Sequence, residues 1–176
     1  MRLTCFGGPA WEAGALPVRG RGQEALLLRL ALDAGTVVNY RALAEDVWPL
    51  DLPDDSRAAL QSLASRVRRA LPGLVEAASG GYRLNLDRAD VDLTAFADLV
   101  GRARADGDLD AARAALTLGA GDPWLPDGSD WALRDLLEDR AHAERMLREA
   151  GAAAAHHRGR RNHRGGTVTG ASILPA

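Results

Sequence analysis

Between residues 56 and 71 apolar side chains recur every three or four positions: Leu60, Leu63/Ala64, Val67 and Ala70/Leu71. That spacing predicts an amphipathic helix with one buried face. Gln61, Ser62, Ser65, Arg66 and Arg69 fall on the opposite side. Asp54, Asp55 or Ser56 caps the start, where acidic residues suit the helix dipole. Pro72-Gly73 ends it, and Leu74–Ala77 with Tyr82–Leu86 predict a hairpin across Ala78–Gly81. Upstream, Arg2–Phe6 alternates weakly, and Ala10–Glu12 and Ala15–Val18 are further extended pieces split by glycine, together a small antiparallel sheet. Gln23–Ala34 is apolar around most of its circumference, so it predicts a helix buried on several sides. Asn39 caps the second helix in chain order, Tyr40–Trp48, which Pro49 stops.

Beyond Asp90 the pattern becomes wholly helical. Asp92 is expected to cap a helix with Leu93, Phe96, Val100 and Ala103 inward. Gly107-Asp108 opens another, Leu109–Leu118. After a turn-rich loop, 119–128, a longer helix runs from Trp131 to about Ala155 with Leu133, Leu136, Leu137, Ala143 and Leu147 inward. Residues 156–166 are basic and glycine-rich with no packed pattern, so a flexible tail is expected. The order is strands, three helices, hairpin, then helices: an α+β protein. Residues 1–88 are expected to form one domain, residues 89–155 a helical domain and residues 156–176 a basic tail.

Composition adds little: 47% of the 176 residues are hydrophobic and 26% charged, ordinary globular values. Charge distribution adds more. The formal net charge is −2, yet residues 56–88 carry six arginines against two acids, while residues 89–150 carry seven against fourteen. The cationic block thus coincides with the helix and hairpin, where a nucleic-acid footprint belongs. All 22 basic residues are arginine, so a Walker lysine and a pyridoxal Schiff base are excluded. Lone Cys5 excludes an internal disulfide and a cysteine-cluster zinc site. No apolar run approaches a membrane span, and the first residues lack a secretory h-region, so a cytoplasmic protein without a membrane partner is expected.

A helix with an apolar back and a hydrogen-bonding front, leading into a hairpin, suits a winged helix seated in a DNA groove. Arginine reaches phosphates, and Gln, Ser or Arg reaches base edges. Four signatures carry a resemblance: Tyr40-Arg41-Ala42-Leu43-Ala44-Glu45-Asp46-Val47-Trp48-Pro49, the helix to Leu71 with its Ser65-Arg66-Val67-Arg68-Arg69 core, Gly81-Tyr82-Arg83-Leu84, and Val91-Asp92-Leu93…Phe96. In this order, over roughly residues 1–150, the chain resembles the SARP family of antibiotic-pathway regulators. These join an OmpR-type winged helix-turn-helix to a bacterial transcriptional activator domain, an all-α unit of tetratricopeptide-like helix pairs. The resemblance implies an N-terminal antiparallel sheet, a C-terminal hairpin wing and the third helix in the major groove of double-stranded DNA.

Carried over by position, Gln61, Ser62, Ser65, Arg66 and Arg69 become groove or phosphate contacts. Arg57 and Arg68 flank them, and Arg83 is a wing candidate. Arg68 has an intramolecular ion pair as its equal alternative; Arg83 could point inward along the sheet. The loop Leu50–Asp55 becomes a segment facing RNA polymerase, and pairs of protomers on repeated half-sites are implied. The expected function is sequence-specific transcriptional regulation, most simply activation of a biosynthetic gene cluster. The alternative is a protein-docking module of a regulatory assembly that does not touch DNA. Two departures from the family pattern stand out: the wing tip, Ala78-Ser79-Gly80-Gly81, has no basic residue, and only three helices precede the tail. No cofactor, metal site or catalytic constellation is expected. His156, His157 and His163 sit in a glycine-rich stretch without a second shell, and His142 has no nucleophile partner. Trp48, Trp124 and Trp131 are expected to pack against helices.

Overall fold

The computed structural model describes residues 1–12 and 14–164, with side chains through His156. Three two-residue strands, β1 (Leu3–Thr4), β2 (Ala10–Trp11) and β3 (Gly14–Ala15), pair antiparallel in that order. Helix α1 (Arg21–Leu32) follows. Leu26, Leu27, Leu28 and Leu30 on it are all fully buried, as an apolar circumference requires. It packs on α2 (Tyr40–Val47), α3 (Ser56–Ala70) and the helical half of the chain. The Asn39 side chain accepts the Ala42 N–H at 2.9 Å and caps α2; Asp55 accepts the Ala58 N–H at 2.9 Å and caps α3.

The wing is a tight hairpin, β5 (Val75–Ala78) and β6 (Gly81–Leu84), joined through Ser79-Gly80. The turn is two residues long, one strand register tighter than the sequence pattern implies. A strand that the pattern did not show, β4 (Val38–Asn39), pairs with β6 and makes the wing sheet three-stranded, order β4-β6-β5. Gly81 stands where β4 comes closest. A Cβ there would lie 1.9 Å from the Val38 carbonyl oxygen, so close approach demands glycine. The left-handed residue of the turn is Gly80, φ 83°.

Helices α4 (Asp92–Asp106), α5 (Leu109–Leu118) and α6 (Leu133–Arg164) pack on one another. Leu93, Phe96, Val100 and Ala103 are buried as expected. Along α6, Leu136 and Ala143 are buried, whereas Leu137 is 50% exposed and does not face inward. Adjacent helix positions point about 100° apart, and Leu136 takes the core position. The α6 backbone continues to Arg164, past the expected end near Ala155. The remainder of the basic tail, residues 165–176, lies outside the described residues.

Asp92 corrects another expectation. The cap position of α4 is Val91, in extended backbone that bridges to Leu3. Asp92, only 7% exposed, is the first helical residue. Its carboxylate accepts the Cys5 N–H at 2.9 and 2.7 Å and the Phe6 N–H at 2.8 Å. The same N-terminal strand is continued by the 119–128 loop: Gly7 N–H donates to the Asp122 carbonyl at 2.9 Å, and Trp124 N–H donates to the Cys5 carbonyl at 2.7 Å. The Arg21 Nε–H also reaches this loop, donating to the Asp127 carbonyl at 2.9 Å. One buried apolar cluster therefore runs from Leu3 and α1 through Val67 and Leu84 to Phe96 and Ala143.

Candidate nucleic-acid interface

The site is built on α3. Leu60, Ala64 and Val67 are fully buried, and Leu71 nearly so, which turns the other side of the helix to water. Gln61, Ser62, Ser65, Arg66 and Arg69 are all exposed. With about 100° between successive residues, Ala58, Ser62, Ser65 and Arg69 line up along the centre of that face. Three of the four are small, so nothing bulky holds the helix backbone away from a facing surface. Arg66 and Arg69 supply reach at the C-terminal end. The Arg69 guanidinium lies 3.3 Å from Ser65 Oγ, and Arg57, Arg66 and Arg69 form no ion pair among the described residues.

The flanking candidates are placed differently. Arg57 is exposed and stacks over Tyr40, its guanidinium carbon 4.8 Å from the ring centre. Arg68 is half-buried. Its Nε–H donates to the Val75 carbonyl at 2.8 Å, and its guanidinium lies 5.4 Å from the Tyr82 ring centre. It is engaged inside the fold by a carbonyl and an aromatic face, where a phosphate or an intramolecular carboxylate was expected with equal weight. Arg83 points to the outer side of the wing and pairs with Glu76 across the hairpin, at 2.7 and 3.0 Å. Five candidates thus share one face of α3, Arg57 lies at its edge, and Arg68 and Arg83 are tied to the wing.

Sequence reasoning did not single out Tyr40 and Tyr82. Tyr82, 3% exposed, meets Tyr40 edge to face. Burial raises the Tyr82 phenol above its ordinary range, Tyr40 adds to this, and the Arg68 and Arg57 charges oppose it. The loop ahead of α3 carries Leu50, 94% exposed, and Leu52, 55% exposed. Among the described residues no group of His, Cys, Asp or Glu is arranged to hold a metal, and no helix is long and apolar enough to cross a membrane.

The architecture is a winged helix-turn-helix fused to an all-α unit. Its fold matches that of Mycobacterium tuberculosis EmbR, solved in complex with a low-affinity phosphopeptide, with a TM-score of 0.65 and 22% identity, over 88% of this chain and 47% of that one. In sequence the chain is 34% identical over 119 residues to regulatory protein AfsR of Streptomyces griseus, covering 64% of this chain and 12% of AfsR. It is 34% identical over 113 residues to transcriptional regulator RedD of Streptomyces coelicolor, covering 59% of this chain and 32% of RedD. Over 112 residues it is 35% identical to regulatory protein DnrI of Streptomyces peucetius, covering 53% of this chain and 41% of DnrI. No protein-family model matches the chain. These relatives are SARP-family regulators, and the chain is homologous to them over more than half its length. It spans between about an eighth and two-fifths of their lengths.

Proposed function

We propose that this chain is a sequence-specific, double-stranded-DNA-binding transcriptional regulator, an activator that works without catalysis. In this reading α3 enters the major groove. Arg66 and Arg69 reach base edges or phosphates, Gln61, Ser62 and Ser65 contact the groove, and the wing rests on the adjacent backbone. The observation that carries the reading is the orientation of α3: Leu60 and Val67 are anchored in the core while Arg66 and Arg69 stand in water with no ion pair among the described residues. A solvated face that needed only charge balance would sit beside acids, and the acids of this chain lie mainly in the helical half. The names of the relatives, regulators and a transcriptional regulator, support the same reading.

The exposed Leu50 and Leu52 make loop Leu50–Asp55 the surface for RNA polymerase in this proposal, because it stands next to α3 and offers apolar contact. Assembly of two protomers on repeated half-sites accompanies it. The test is selection of bound sequences from a random duplex pool at two ionic strengths, using the whole chain. Enrichment of a common half-site, with affinity falling steeply as salt rises, is expected. Binding that is indifferent to both sequence and salt, or no binding, supports the docking-module alternative instead.

A further inference from the structure

Beside the α3 face, three elements meet in one corner: the first turn of α2, the flank of α3 and the inner strand of the wing. Their side chains form a row. The Arg57 guanidinium rests on Tyr40 at 4.8 Å. The Tyr40 and Tyr82 rings meet at 5.6 Å with their planes at 86°. The Arg68 guanidinium covers Tyr82 at 5.4 Å. The two ends of this row are held differently. Arg68 is tied to the Val75 carbonyl and belongs to the frame. Arg57 is exposed and has no ion pair among the described residues; its one aromatic support is Tyr40.

Tyr40 is itself fixed from two sides. Its N–H donates to the Gly80 carbonyl at 3.0 Å, which ties it to the wing turn, and the buried Tyr82 ring backs its edge. An arginine on an open helix must give up rotamer freedom when it binds an anion. One already laid on a rigid aromatic face has given up much of it beforehand. Arg57 and Gln61 are one turn apart on the flank of α3, at the edge of the base-reading surface, where the duplex backbone passes. Among the described residues no carboxylate is ion-paired to Arg57 to compete for it.

We infer that Tyr40 is a positioning residue that aims the Arg57 guanidinium at one phosphate of the DNA backbone, next to the wing. This rests on the DNA-binding reading above. The Tyr40–Arg57 pair sets the register of α3 on the duplex and reads no sequence. It therefore acts on specific and random DNA alike.

The experiment is equilibrium binding of the whole chain to a short random-sequence duplex over a salt series, with thermal unfolding followed in parallel. Arg57→Gln is expected to lower the slope of log affinity against log salt by about 0.9, the loss of one phosphate contact, with the melting temperature unchanged. Tyr40→Leu is expected to weaken binding several-fold in the wild-type background and to add nothing in the Arg57→Gln background. Tyr40→Phe, which keeps the ring, is expected to bind as the wild type does. An unchanged slope in Arg57→Gln overturns the inference. So does a Tyr40→Leu penalty of the same size in both backgrounds, which would mean that Tyr40 acts through the fold alone. Should Tyr40→Leu melt too early to measure, Tyr40→Met, which fills the site without a ring, takes its place in both backgrounds. Wild-type protein that fails to bind the duplex at low salt overturns the DNA reading itself; wild-type binding with a silent Arg57 overturns only this pair.

Discussion

Asp92 joins the two halves of the chain with a single carboxylate. Hydrogen bonds to a charged group contribute about 1.5–3 kcal/mol each in favourable sites. Asp92→Asn keeps one acceptor oxygen and sets an amide donor against the Cys5 and Phe6 N–H groups, so a loss of about 2–3 kcal/mol in denaturant unfolding is expected. Cys5, next to it, titrates in a way that follows from its setting. Burial, then the Asp92 charge and its hydrogen bond, raise the thiol well above its ordinary range. The folded state holds the proton and the unfolded chain releases it first. The contribution is therefore complete below the ordinary thiol range and declines as pH rises through and above it. Melting temperatures measured from neutral to alkaline pH should fall in the wild type, and the fall should be shallower in Cys5→Ala. The local pattern around Asp92 shows an acid at a helix start, and nothing more. Its partners lie 86 and 87 positions away, a distance that no short window of sequence spans.

Helix α3 was legible because its apolar spacing, its cap and its Pro-Gly stop all agree. β4 was not, because two residues cannot show alternation. Gly81 must be small for the sake of β4, not for its own backbone angle. Gly81→Ala should thus destabilise by about 1–3 kcal/mol or more through overpacking against Val38. Gly80→Ala, strained but open, should cost about 1–2 kcal/mol. Chemical denaturation of the two variants checks the order. The division of labour among the arginines was only half legible: angular position put Arg66 and Arg69 on the outer face, but could not foresee that Arg68 would lie over Tyr82 or that Glu76 would hold Arg83. Arg66→Ala with Arg69→Ala should leave the melting temperature within about a degree or two, as surface changes do. The pair should lower affinity for a selected site by about tenfold or more, since each bidentate base contact carries about 1–3 kcal/mol. Titration of a labelled duplex measures it.

At the scale of the molecule, strand β1 lies between the winged helix and the helical half and is completed by both. A chain cut after Leu86 loses the Val91 bridge, the Asp92 carboxylate and the loop that carries Asp122 and Trp124. We expect such a fragment to unfold well below the whole chain, whereas one cut after Ala155 should melt near it, because residues 151–156 are exposed. Circular dichroism melts of the two fragments test this. The change of pattern and charge near residue 89 showed where the wholly helical half begins, but not that the first strand would be shared across that point. A consequence concerns synthesis. The strand is synthesised before Asp122 and Trp124, which complete its backbone pairing and follow more than a hundred residues later. Until those residues emerge, water serves the Gly7 amide and the Cys5 carbonyl, so this strand is fastened late in folding.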